Sequence, residues 1–316
     1  MQLCLLHVDE ALESQQDFIY ACDKAGAHQI RLQQSASDIR LWGTWAGLNA
    51  FHEIIRRQWH ANDEPRLCFM GSGDFHHVTA FLAAQALERH KGPITLIHFD
   101  NHPDWVHFEK GTHCGSWVNR ALQHSQVKKV ITIGVCSHDL RLPEWKGANL
   151  PLLTQGVLEL YPYAHAPSRV KKNYGVSMSF DQQERHLHWK TIQNMGEQHF
   201  TDFLLSRIKT DAVYMTIDKD VLAREDAITN WDQGRMRLPY LLSLIKAIGN
   251  KHRIIGADVT GDYSTPVYSG SLMTRLSKRA EIFMDQPHSR VNTGESISIN
   301  SAANHALLNV FSEAMA

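Results

Sequence analysis

The chain alternates short apolar runs with stretches whose apolar positions recur at helical spacing. Met1–Val8 predicts a first strand, and Asp9 a cap for a helix starting near Glu10-Ala11-Leu12. Between 35 and 60, Ile39, Trp42, Trp45, Leu48, Phe51 and Ile55 follow helical spacing, which predicts one or two packed amphipathic helices. Arg66–Met70 then reads as a buried strand, about Val78–His90 as a helix, and Ile94–Phe99 as a second buried strand broken only by His98. Strand, helix and strand in that order predict a parallel βαβ unit whose two strands are neighbours. Further on, Trp117–Leu122, Glu197–Ile208 and Leu238–Ile248 read as helices, and Val130–Val135, Ala212–Ile217 and Arg253–Val259 as strands. Residues 137–200 are turn-rich, with short strands expected at Gly175–Phe180. No repeat of roughly 20–50 residues interrupts the alternation. The expectation is one α/β domain over residues 1–316, three-layered and doubly wound around a mostly parallel sheet.

The polar residues concentrate where these strands end. Pro103 cannot donate to a sheet ladder, so the strand after Ile94 should stop near Asp100-Asn101-His102-Pro103-Asp104. In an extended segment, side chains at i, i+2 and i+4 share a face, so Asp100, His102 and Asp104 can converge. Arg66–Met70 runs into Gly71-Ser72-Gly73-Asp74-Phe75-His76-His77, and Ala212–Ile217 into Asp218-Lys219-Asp220. Ligands of open α/β sheets bind at the carboxyl ends of strands. Oxygen and imidazole donors without thiolate suit a hard or borderline divalent metal. The glycines of 71–73 form neither G-x-G-x-x-G nor G-x-x-x-x-G-K, so a nucleotide loop is not indicated. His7 with Asp9 reads as structural, and His186 and His188 as surface residues.

Composition narrows the classes. A net charge of -1 and a pI near 7.1 give no electrostatic footprint for nucleic acid or an anionic membrane. No run approaches the ~20 apolar residues of a membrane span. The five cysteines are widely spaced with no C-x-x-C, which points to reduced thiols and a cytoplasmic location.

Taken in order from Arg66 to Ser264, the three strand ends resemble those of the ureohydrolases: arginase, agmatinase, guanidinobutyrase and formimidoylglutamase. The resemblance implies an arginase/deacetylase-like fold and two Mn²⁺ ions. Their ligands would be His76 or His77, Asp100, His102, Asp104, Asp218 and Asp220, with Asp100 and Asp218 bridging. Two such ions lower the pKa of a water held between them, so that it attacks the carbon of a linear guanidino or amidino group. His113, in Gly111-Thr112-His113-Cys114-Gly115, matches the family's proton-carrying histidine. The implied partner is a small molecule, and homo-oligomers are common in the family.

The chain also departs from the pattern. The family's Gly-Gly-Asp-His has become Gly73-Asp74-Phe75-His76-His77, with an extra residue before the histidine. Asp-x-Asp-x-x-Asp-Pro ends here in Ala223 and Arg224, and Glu225–Arg235 replaces a Gly/Pro-rich loop. The family's guanidinium-binding glutamate falls on Gly261, which leaves Asp262, Asp226 and Asp232 as expected substrate acceptors. The His76-His77 pair also resembles the tandem histidines of the single-zinc deacetylase-like amidohydrolases. The altered loops leave open a third reading, a non-catalytic metal-binding relic of the fold.

Overall fold

The computed structural model describes residues 1–59, 64–287 and 291–316. Eight short runs, most of them rich in apolar residues, form its central sheet. They are β1 (Gln2–His7), β2 (His28–Arg31), β3 (Arg66–Phe69), β4 (Ile94–Phe99), β5 (Val127–Ile133), β6 (Leu158–Tyr161), β7 (Ala212–Asp218) and β8 (Arg253–Thr260). The spatial order is β2-β1-β3-β8-β7-β4-β5-β6, and every pairing is parallel. Parallel sheets need cover on both faces. In β4, Ile94 and Leu96 pack with Ala83 and Leu87 of the Thr79–Arg89 helix. Ile97 and Phe99 point the other way, into a core shared with Phe200, Leu244 and Leu307. The three-layer α/β architecture follows from this alternation. Among the described residues, no helix is long and apolar enough to cross a membrane.

Several elements differ from the sequence expectation. Strands β3 and β4 are not neighbours, because β8 and β7 insert between them. The helical pattern of 35–60 is cut into a Gln33–Ile39 helix, a Trp42–Thr44 strand and a Trp45–Gln58 helix. The break falls at Leu41, whose φ of +65° no helix accepts. The Trp42–Thr44 strand pairs antiparallel with Gly111–His113, and Trp45 is exposed rather than packed. Asp9 does not start a helix at Glu10; its carboxylate accepts from the Ala11 and Ser72 amides and from the Ser264 hydroxyl, and the helix begins at Gln16. In the turn-rich region the strands are Phe180–Gln183 and His186–Trp189, with Ser168–Arg169 beside them. Beyond Ser264, where no element was anticipated, lie two helices, Leu272–Asp285 and Thr293–Ala314.

A buried ion pair fastens the last helix beneath the carboxyl end of the sheet. Lys219 is fully buried, and its ammonium donates to Asp262 and, at 2.7 Å, to Asn304 Oδ1. The Asn304 amide in turn donates to Asp262 Oδ2 at 3.2 Å and to Gln15 Oε1 at 2.9 Å. Removing one member of such a pair leaves the other charge buried without its counter-ion. Asp262→Asn is therefore expected to destabilise the fold by about 3–5 kcal/mol. Urea unfolding of variant and parent checks this, and a change below about 1 kcal/mol would show that the pair contributes no more than a surface one.

Candidate metal centre

The site is built on the exits of β3, β4 and β7. After β4 the period of two continues, so His98 and Asp100 face the same side, and Pro103 ends the strand. Asp104 adopts φ +51°, a left-handed conformation that aspartate tolerates better than most residues, and its carboxylate comes back against His76. His76 sits on the short helical turn Gly73–Val78 that follows β3. Its Nδ1 lies 2.9 Å from Asp100 Oδ2, 3.1 Å from Asp104 Oδ2 and 3.6 Å from Asp218 Oδ2. His98 Nε2 lies 2.8 Å from Asp100 Oδ2 and 3.8 Å from Asp104 Oδ2. On the other side of Asp100, His102 Nδ1 is 2.8 Å from Asp220 Oδ2 and 3.6 Å from Asp100 Oδ1. Two donor groups result, His76/His98/Asp100/Asp104 and Asp100/His102/Asp220, each with its donor atoms within 4.8 Å of one another. Asp100 belongs to both.

Each imidazole is also held from behind. Thr216 donates its hydroxyl to Asp258 Oδ1 at 2.7 Å, so at the 2.9 Å contact between Thr216 Oγ1 and His76 Nε2 the imidazole is the donor. That fixes a proton on His76 Nε2 and turns Nδ1 toward three carboxylates. The other ring nitrogens contact Thr132 Oγ1 (His98 Nδ1, 3.0 Å) and Asp232 Oδ1 (His102 Nε2, 2.8 Å). Outer partners of this kind orient metal-ligating imidazoles.

The electrostatics call for a cation. Asp100, Asp104, Asp218 and Asp220 are all buried. Burial, reinforced by the Asp100 charge, pushes both Asp104 and Asp218 up to about 6. It raises Asp220 well above the usual carboxylate range, again with help from Asp100 and Asp218. Burial would raise Asp100 too, but hydrogen bonds from His102, His76 and His98 hold it well below that range. Burial alone would lower His76, yet the Asp100 and Asp104 carboxylates hold it well above an ordinary histidine. An imidazole nitrogen and several carboxylates facing one another in a buried space favour a positive charge between them, a proton on His76 Nδ1 or a metal ion in its place. Hard oxygen and imidazole donors, with Cys114 kept a thiol by burial, suit a divalent ion such as Mn²⁺ or Mg²⁺.

The expected site residues divide into two sets. His76, Asp100, His102, Asp104, His113, Asp218, Asp220 and Asp232 all line one cavity of about 580 Å³. Asp218 is wedged between Gly73 and Gly261: a Cβ at Gly73 would lie 2.4 Å from Asp218 Oδ2, and one at Gly261 2.3 Å from Asp218 Oδ1. The remaining expectations are corrected. His77 is buried away from the donor groups, and among the described residues neither ring nitrogen has a hydrogen-bond partner. Its ring is displaced because His76 and His77 are consecutive on one helical turn and cannot face the same way. Asp262 is consumed by Lys219, and Asp226 by Arg237 Nε at 2.6 Å and the Leu238 amide at 2.9 Å, so neither lines the cavity.

Two residues of the site were not anticipated. His98 was read as a polar interruption of a strand, although its place two residues before Asp100 puts it on the same face. Glu281 comes from the Leu272–Asp285 helix, outside the stretch that carried the resemblance, and its Oε1 lies 2.5 Å from His113 Nε2. His113 is held at the cavity wall by the Trp42–Thr44 pairing, and its Nδ1 accepts from the Gly115 amide at 2.8 Å.

Residues 38–265 match the model of the arginase family. An uncharacterised protein of Thermotoga maritima is 26% identical over 194 residues, a match covering 61% of this chain and 57% of that protein. Among solved structures, the proclavaminate amidino hydrolase of Streptomyces clavuligerus superposes with a TM-score of 0.60 at 14% identity, covering 100% of this chain and 93% of that one. The arginase of Bacillus caldovelox gives 0.56 at 13% identity, covering 97% of each chain. The agmatine ureohydrolase of Thermoplasma volcanium gives 0.54 at 11% identity, covering 99% of this chain and 88% of that one.

A cation that binds this cluster only in the folded state must raise stability by mass action. At a free Mn²⁺ concentration one hundred times its Kd, the gain is expected to be about 2.7 kcal/mol. Asp100→Asn should remove most of it, because both donor groups use Asp100. Thermal unfolding in chelator and in Mn²⁺ measures both, and an undiminished gain in the variant would locate the ion elsewhere.

Proposed function

Because the chain belongs to the arginase family, we propose that it is a binuclear, Mn²⁺-dependent hydrolase that cleaves a C–N bond of a linear amidino or guanidino compound. The observation that carries this reading is the sharing of Asp100 between two donor groups. A single ion has no use for both. His76, His98, Asp100 and Asp104 would hold one ion, and Asp100, His102 and Asp220 the other, with Asp218 within reach of the first through His76. A pair of bound divalent ions supplies Lewis acidity and lowers the pKa of a water molecule toward neutrality.

The chain's own residues would do the rest. Asp139 and Asp285, which pair with Lys146 at 3.1 and 3.4 Å, line the cavity with Asp232 and Glu281; among the described lining residues carboxylates outnumber the one lysine, which suits a cationic amidine head. The leaving amine needs one proton. His113 Nδ1 is already an acceptor for the Gly115 amide, so its ring proton sits on Nε2 and faces Glu281. The hydrogen-bonded His113–Glu281 pair stands at the cavity wall, where it would hand that proton to the leaving amine. The single-zinc reading, which needs two histidines acting together, draws no support from a His77 ring that lacks hydrogen bonds among the described residues.

Two measurements test the proposal. Metal analysis of Mn²⁺-loaded protein should give close to two ions per chain; His98→Ala should leave one, and Asp100→Ala neither. One zinc that survives both substitutions would favour the deacetylase-like chemistry. Glu281→Gln should depress turnover by roughly 10²–10⁴-fold at unchanged metal content. His113→Asn is expected to behave alike, and a loss confined to one of the two variants would show that the pair does not act together.

A further inference from the structure

The central sheet holds two cysteines side by side. Cys4 on β1 and Cys68 on β3 are register partners on neighbouring parallel strands, so both side chains leave the sheet on the same face. Both are buried in one apolar core, and neither is in a disulfide. Register partners on adjacent strands lie about 4.8 Å apart, inside the roughly 4.4–6.8 Å between Cα atoms that a disulfide spans. The other cysteines are single. Cys22 belongs to the opposite core, Cys114 to the wall of the metal-type cavity and Cys136 to the turn after β5.

The surroundings also set Cys4 apart from the rest. Burial pushes the Cys22 thiol up to about 12 and raises Cys114 and Cys136 as well. Cys68 is raised too, first by its hydrogen bond with Cys4 and then by burial. Cys4 alone is lowered, chiefly by the hydrogen bond with Cys68 and further by the charges of Arg66 and Arg89. The thiolate therefore forms first on Cys4, with a thiol beside it. Oxidation of one such sulfur is readily resolved by the other. A cavity of about 10 Å³ adjoins Cys68, lined among the described residues by Arg66, Gln85, Arg89 and Tyr214. That is room for about one water molecule, so a small oxidant fits where glutathione or a protein thiol does not.

We propose that Cys4 and Cys68 are a peroxide-sensitive thiol pair that closes to a reversible disulfide between β1 and β3. The Cys4 thiolate attacks one oxygen of hydrogen peroxide, and the O–O bond breaks. Sulfur is left as a sulfenic acid, while the departing hydroxide takes up the proton that the thiol had lost and becomes water. Cys68 Sγ then attacks Cys4 Sγ and the S–O bond breaks. The second hydroxide takes the Cys68 proton and also leaves as water. In all, two thiols lose two electrons and one peroxide becomes two waters. Strained disulfides are the more easily reduced ones, and a bridge between adjacent strands belongs with them. Closing it ties β1, and β2 at the sheet edge beyond, to the strands that carry the metal-type residues. The thiol chemistry needs no reaction at the metal centre and stands or falls apart from the hydrolase reading.

The test treats the intact chain with hydrogen peroxide, blocks the remaining thiols in denaturant and maps the peptides by mass spectrometry. Free thiols should fall from five to three, with the Cys4 and Cys68 peptides joined and lighter by two hydrogens. Dithiothreitol should restore all five. Cys68→Ala should stop Cys4 at the sulfenic acid, which a 1,3-diketone traps, and Cys4→Ala should leave Cys68 without label. The proposal is overturned if all five thiols survive peroxide, or if the bridge forms to Cys22, Cys114 or Cys136. Irreversible oxidation of Cys4 with Cys68 left free would overturn it equally. Peptide mapping of the parent gives the answer even where a variant fails to fold.

Discussion

The constraint on which this molecule depends is the burial of several carboxylates at the carboxyl ends of β4 and β7. Asp100, Asp104, Asp218 and Asp220 are almost wholly removed from water. Such charges are costly unless paired. The chain meets the cost only in part, with three imidazoles whose outer nitrogens are tied to Thr216, Thr132 and Asp232. What remains is an arrangement that fits a cation, and Asp100, touched by His76, His98 and His102, is its pivot.

Around that pivot the fold is braced by buried polar pairs. Arg40 is fully buried; its Nε donates to Asp74 Oδ2 at 2.6 Å and its Nη2 to Ser264 Oγ at 2.7 Å. Asp74 Oδ1 also accepts from Trp231 Nε1 at 2.9 Å and Gln286 Nε2 at 2.7 Å. The loop after β3, the rebuilt 225–235 loop and the end of the Leu272–Asp285 helix are thereby joined through one carboxylate. Lys219 and Asp262 do the same for the last helix through Asn304. Both braces lie next to the cluster, so the geometry of the donors is inherited from pairs that touch no ligand.

The segments beyond residue 265 explain how a member of the family can lose several of its usual pocket residues. Gly261 is sterically closed, and the acceptors 226 and 262 are spent on structure. Charge reaches the cavity instead from a helix that arrives late in the chain and lines it with Glu281 and Asp285. The core supplies the buried cluster, and the late helix supplies part of the lining around it.

The sequence by itself determined the α/β class, the parallel sheet and which strand ends carry the clustered aspartates and histidines. Strand ends are marked by local rules: Pro103 stops β4, and the period of two aligns Asp100 with its neighbours. The same period, applied one step back, would have included His98. Tertiary structure alone decided the rest. Nothing local distinguishes His76 from His77; the choice follows from which ring the helical turn directs at β4 and which it buries. No spacing rule reports that β8 and β7 insert between β3 and β4, since strand order is fixed by how the whole chain packs its two cores. Asp262 and Asp226 carry the right chemistry for a substrate, but a neighbouring cation claimed each of them first. Glu281 reaches His113 across 168 residues of chain, a contact that only packing could make.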